Sequence, residues 1–190
     1  MAQNDIFSVV DMRAGDVERS YTWYRNQVRG IASGVTGPQL VKQALTSRIY
    51  PGEMYLFLYD PKTKDKLPYY DTAPLVLPFR RVPDGFLGIN LHYLPYLARF
   101  NLLRELAKLT QDKKLTNEGK LNLSWQLLSS SSKLLAGTAC VKHYLNNHVQ
   151  SRFLKIDPQN WITAAMLPVE SFKKEKKETV WKDTKIRYGI

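Results

Sequence analysis

Residues 51–95, PGEMYLFLYDPKTKDKLPYYDTAPLVLPFRRVPDGFLGINLHYLP, constrain the fold more than any other stretch. Aromatic and branched side chains suit a pleated, half-buried surface, and Asp-Pro and Pro-Asp-Gly stop it, so short strands in one small sheet or barrel are predicted. Met54 to Tyr59 reads as the first strand, Leu75 to Phe79 as the second and Phe86 to Tyr93 as the third, with DPKTKDK a polar hairpin connection. Pro68, Pro74 and Pro78 each lack a backbone donor, which places them at a sheet edge or at bends. Gly88 inside the third strand predicts a bulge or a close backbone approach.

The flanks change period. Asp16 caps a helix to about Arg29 with Val17, Tyr21, Tyr24 and Val28 on one stripe, and PQLVKQALTS, from Pro38, reads as a short second helix. From Pro95 onward, Leu97, Phe100, Leu103, Leu106, Ala107 and Leu109 recur at helical spacing. Leu121, Trp125, Leu128 and Leu135 predict another helix, and Cys140, Tyr144, Leu145, His148 and Val149 one more. Asp157-Pro158 reads as the cap and first turn of a helix carrying Trp161, Ile162, Ala165 and Met166. The expected fold is therefore α+β. One domain spans 1–172, with its β unit at 51–95 and a helical part at 96–172, followed by a basic tail or arm at 173–190.

A length of 190 residues and 44% hydrophobic content suffice for a real core. The formal charge of +11 is large enough to hold a polyanion through phosphate contacts. That charge is scattered, however, and concentrates only at Lys173, Lys174, Lys176, Lys177, Lys182, Lys185 and Arg187, where Glu175, Glu178 and Asp183 interrupt it. A solvated helix face or a tail is the plainer reading of such an interrupted run. The single cysteine, Cys140, excludes an internal disulfide and a cysteine-cluster zinc site. Neither a leader pattern nor an uninterrupted apolar span is visible, so the expectation is a soluble protein made in the cytoplasm, with no membrane partner.

No catalytic pattern stands out, and none of the residues is assigned to a metal or cofactor. His143 and His148, on the expected helix, would point about 140° apart, unlike the four-residue spacing of zinc peptidases. Cys140 and His143 would share a face, which two residues of those types do often by chance. No strained serine elbow and no glycine-rich phosphate cradle occurs. Glu53, Asp60, Asp65, Asp71 and Asp84 are acids of the β unit, but Asp60, Asp65 and Asp84 fall in turns, where a side chain bonds its own backbone. Asp71, flanked by Tyr69, Tyr70 and Pro74, reads as a buried acceptor that fixes its loop. Tyr55, Phe57, Tyr59, Tyr69 and Tyr70, with lysines nearby, could stack on bases. Tyr55, Phe57 and Tyr59 nonetheless share one strand face and serve as well as the wall of a core.

The runs PGEMYLFLYDPKTKDKLPYYDTAPLVLPF, GFLGINLHYLP, LNLSWQLL, CVKHYLNNHVQSRFLKIDPQNW and VWKDTKI resemble a family of virion-associated proteins of contractile-tailed, myovirus-type bacteriophages. The resemblance covers nearly the whole chain and transfers no catalytic residue. It implies a non-enzymatic structural or assembly component of the virion, in the tail, baseplate or neck, assembled in the host cytoplasm beside other phage structural proteins. Under that expectation Trp181, Lys185, Ile186 and Tyr188 are partner anchors. The alternative is a nucleic-acid-binding protein acting on phage DNA, with Lys142, Arg152, Lys155, Lys173 and Lys174 on phosphates.

Overall fold

The computed structural model describes residues 45–111, 126, 140–166 and 169–188. In chain order its strands are β1 (Leu45–Thr46), β2 (Met54–Leu56), β3 (Tyr70–Asp71), β4 (Leu75–Val82), β5 (Gly85–Asn90), β6 (Val141–Leu145), β7 (Phe153–Ile156) and β8 (Phe172–Lys173). Its helices are α1 (Tyr96–Gln111), α2 (Trp161–Met166) and α3 (Lys177–Tyr188), with 3-10 turns at Leu91–Tyr93, Asn146–His148 and Pro158–Asn160. The expected α+β class is what forms: an open, antiparallel six-stranded sheet in the order β1-β7-β2-β4-β5-β6, beside a separate β3-β8 ladder.

Side-chain alternation gives the main sheet two apolar faces. On one, Met54, Leu56, Leu75, Leu77 and Ile89 pack with Leu103 and Leu106 of α1, Trp161 and Ile162 of α2 and Val180 of α3. On the other, Tyr55, Phe57, Tyr59, Phe86, Tyr144 and Phe153 form an aromatic core. Phe57 stands at its centre, edge-on to Tyr144 at 5.2 Å and to Phe153 at 5.0 Å. Such pairs contribute about 0.5–1.5 kcal/mol beyond the area they bury. The Tyr55, Phe57 and Tyr59 rings therefore belong to the interior, not to a ligand.

Pro78 sits in an interior strand, where its missing donor would break the ladder. The register slips between Pro78 and Arg80 instead, and the Pro78 carbonyl accepts from the Gly52 amide at 3.1 Å. Gly88, opposite Pro78 and Lys142, is the close approach expected of it: a Cβ there would lie 2.3 Å from Val76 Cγ1.

The sheet also recruits chain from outside 51–93, which corrects two helical expectations. Leu45–Thr46, the end of the expected second helix, pairs with β7 as an edge strand. The helix expected over Cys140–Val149 is instead β6 followed by a 3-10 turn, with Phe86 opposite Tyr144 and Gly88 opposite Lys142. Five residues are too few to separate a period of 2 from one of 3.6, and the open edge of β5 supplied the partner. β7, inserted between β1 and β2, carries Leu154 and Ile156 into the core. Pro158 does open a helical turn, although the Asp157 side chain makes no capping bond. The helices expected at 16–29 and around 121–135, and most of the one from Pro38, lie outside the described residues.

In the basic C-terminal stretch, α3 places Val180 in the core, and the Thr184 hydroxyl donates to the Tyr93 carbonyl at 3.0 Å. Among the described residues no helix is long and apolar enough to cross a membrane.

Candidate functional site

The short β3-β8 ladder pins Asp71 beneath the end of β5, where three donors converge on it. The Ala73 amide donates to Oδ1 at 3.1 Å, and Asn90 Nδ2 donates to Oδ2 at 3.1 Å. His92 Nδ1 lies 2.7 Å from Oδ2. Burial pushes the Asp71 carboxyl up, yet His92 beside it and the hydrogen bonds from His92, Asn90 and Ala73 outweigh burial and hold it below the usual carboxylate range. An ionised carboxylate only accepts, so His92 Nδ1 carries the donated proton. Asn90 does double duty, since its Oδ1 accepts from the His92 amide at 3.0 Å and starts the 3-10 turn. The expected role of Asp71, a buried acceptor fixing its loop, is the role it has. His92 Nε2, also buried, has no hydrogen-bond partner among the described residues.

Above this network opens a cavity of about 270 Å³. Asp71 and Asn90 contribute its buried floor, Tyr59, Tyr70, Tyr93 and Tyr144 its walls, and Lys62, Lys142 and His143 its more exposed rim. The walls are fixed by the fold. The Tyr59 hydroxyl accepts from the Leu145 amide at 3.1 Å, and its ring meets Tyr144 edge-on at 4.9 Å. Lys142 Nζ stands 4.3 Å from the centre of the Tyr93 ring, a cation held on an aromatic face. Burial, reinforced by the Asp71 charge, raises the Tyr93 and Tyr144 hydroxyls well above their ordinary range, so both stay protonated at neutral pH.

Lysines collect beside this cavity. Lys62, Lys64 and Lys66 come from the turn after Pro61, and Lys173, opposite the wall residue Tyr70, comes from β8. Lys174 follows in a left-handed conformation, φ 73°. Its Nζ donates to the carbonyls of Lys64, Asp65 and Leu67 at 2.7, 3.0 and 2.8 Å, which locks the lysine turn onto β8. Lys64 pairs with Asp60 at 2.9 Å, while Lys62, Lys66, Lys173 and Lys176 are exposed.

Of the residues proposed for phosphate contact, the structure thus brings together Lys142, Lys173 and Lys174. It keeps the other two apart, for β7 is separated from β6 by β2, β4 and β5. On β7, Lys155 pairs with Glu53 at 2.6 Å, and Glu53 also accepts from the Tyr55 hydroxyl. Arg152 donates to the Leu45 carbonyl at 2.6 Å. Of the proposed anchors, Trp181 is half-buried, its indole N–H donating to the His92 carbonyl at 2.8 Å and its ring edge-on to Tyr96 at 5.0 Å. Lys185, Ile186 and Tyr188 lie in the last turns of α3, and their side chains are outside the described residues. His143 pairs with Asp84 at 2.9 Å and His148 with the Asp60 carbonyl at 2.9 Å. Among the described residues no three His, Cys, Asp or Glu side chains are grouped so as to hold a metal ion.

Sequence reasoning missed Asn90, His92 and Arg99. The first two carried a usable signal, a polar pair directly after an apolar strand run; Arg99 carried none, since it lies on a helix whose apolar stripe was drawn without it.

The family model described as phage T4 terminal DNA protecting protein matches residues 7–186. Comparison with curated proteins and with solved structures finds no significant match. The family match upholds the setting of a myovirus-type phage protein. It overturns the expectation of a tail, baseplate or neck component, because the matched family is described by the protection of DNA termini, and it favours the nucleic-acid alternative.

Proposed function

Because the chain belongs to the phage T4 terminal DNA protecting protein family, we propose that it binds the ends of phage DNA in the infected cell and shields them by occupancy, with no chemical step of its own. The match over residues 7–186 carries this reading. Two physical observations support it. The net charge of +11 supplies the counterion-release term common to DNA binders. The exposed Lys62 lines a concave, tyrosine-walled cavity, and the exposed Lys66 and Lys173 neighbour its lining residues Leu67 and Tyr70, so the charge has a place to act. Protection by occupancy needs a stiff surface more than a reactive one, and the Lys174 bonds to the lysine turn supply that stiffness.

The test pairs a linear duplex with the same sequence closed into a circle. The linear form should bind more tightly, the logarithm of its affinity falling linearly with log[salt], and its ends should resist an added exonuclease at saturating protein. Equal affinity for the circle together with unprotected ends would overturn the reading.

A further inference from the structure

We propose that the cavity between β6 and the 60–70 segment receives a single unpaired nucleotide at the DNA terminus, base inward and phosphate at the rim, an inference that rests on the end-binding reading above. At about 270 Å³ the cavity lies just below the usual range of small-molecule clefts, about 300–1,000 Å³. One nucleotide drawn out of the stack fits such a space, and a duplex does not.

The lining sets the orientation. The ionised Asp71 carboxylate beneath the floor acts by its charge, which repels a phosphate and leaves the base as the inward end. Tyr93 and Tyr144, kept protonated, add no charge of their own at the same depth. Tyr70, partly exposed on the wall, offers ring surface that any base can use. Lys62 and Lys142 at the mouth are where a backbone phosphate belongs, and Lys173, opposite Tyr70, continues the positive charge toward the next phosphates. Base stacking in the cavity is sequence-tolerant, as suits a protein that must accept whatever base ends the strand.

The experiment uses hairpin duplexes with one closed end and one open end that is blunt, carries one unpaired 5′ nucleotide or carries one unpaired 3′ nucleotide. The full chain should prefer one or both of the unpaired ends over the blunt end by about ten-fold, the scale of one stacked base. Thr63→Trp, at an exposed lining position, fills the mouth without touching the core, and Lys142→Ala removes a rim cation. Both should abolish the preference, while Thr63→Trp keeps the blunt-end affinity and its salt slope. Absence of any preference, or its survival in Thr63→Trp, overturns the cavity assignment and leaves end binding standing. Failure of the wild type to distinguish any linear hairpin from circular DNA overturns end binding itself, and the cavity assignment with it.

Discussion

His92 Nδ1 stands 2.7 Å from Asp71 Oδ2, and solvent reaches neither side chain. The contact joins the β3-β8 ladder to the 3-10 turn that leads out of β5, so it ties the smaller sheet to the larger one beneath the cavity. Removing one partner of a buried pair leaves the other uncompensated, at a cost of about 3–5 kcal/mol. Asp71→Asn should therefore lower the urea midpoint strongly at pH 7. The Asp71 carboxyl is depressed in the fold, so its contribution is complete above the ordinary carboxylate range and is lost as pH falls through the folded value. The gap between wild type and Asp71→Asn should stay constant from pH 7 to 5 and narrow below about pH 4. A gap independent of pH down to 2 would contradict this account.

Arg99 gives a second prediction. Its guanidinium is fully buried and donates to the carbonyls of Leu94, Ala165 and His92 at 2.7, 2.7 and 3.0 Å. It thereby binds α1 to the 3-10 turn and to α2. Glu170 Oε1 lies 2.7 Å from Nη2 and is its ionic partner. Burial depresses the Arg99 guanidinium and the Glu170 charge partly offsets that. Arg99→Met should destabilise by about 3–5 kcal/mol. In the double variant with Glu170→Met the two losses should fall short of additive by about 1–3 kcal/mol, because the second change removes a buried charge left with only Lys177, 3.9 Å away. Additive losses in chemical denaturation would show that the pair is not coupled.

A third concerns the two glycines of β5. A Cβ at Gly88 would meet Val76 Cγ1 at 2.3 Å, a side-chain atom, whereas one at Gly85 would meet the Tyr144 carbonyl oxygen at 1.8 Å. A methyl can shift and a ladder carbonyl cannot without breaking pairing. Gly88→Ala should cost about 1–3 kcal/mol by overpacking. Gly85→Ala should cost more and should specifically loosen β6, raising amide hydrogen exchange at residues 141–145. Equal losses in both variants with unchanged exchange would argue against the difference.

The legible part of this protein was the part with dense local signals. Turn residues and alternation around Met54, Leu75 and Phe86 located three strands of the main sheet, and Asp71 was recognised as a buried acceptor from its apolar neighbours. β6 and β7 were not legible because their state depends on partners more than 50 residues away in the chain: Tyr144 is opposite Phe86, and Leu154 opposite Leu56. The cavity escaped for the same reason, since its floor, walls and rim come from three separated segments. The choice between the two readings escaped because a basic, aromatic chain with no catalytic pattern suits an assembly subunit and a nucleic-acid-binding protein alike, and electrostatics alone does not separate them.

Lys173 and Lys174 are neighbours with opposite assignments, and salt titrations separate them. Lys174 spends its three N–H donors on the carbonyls of Lys64, Asp65 and Leu67, so it has little left for a phosphate. Lys173 is exposed and sits across the ladder from Tyr70. Lys173→Ala should leave the melting temperature unchanged and reduce the slope of log K against log[salt] for linear DNA by about 1, one phosphate contact. Lys174→Ala should release the lysine turn, seen as faster proteolysis between residues 61 and 67. It should weaken DNA binding through the loosened turn more than through the slope. Should Lys174→Ala flatten the slope as Lys173→Ala does while the turn stays protease-resistant, the division of labour between the two would have to be reversed.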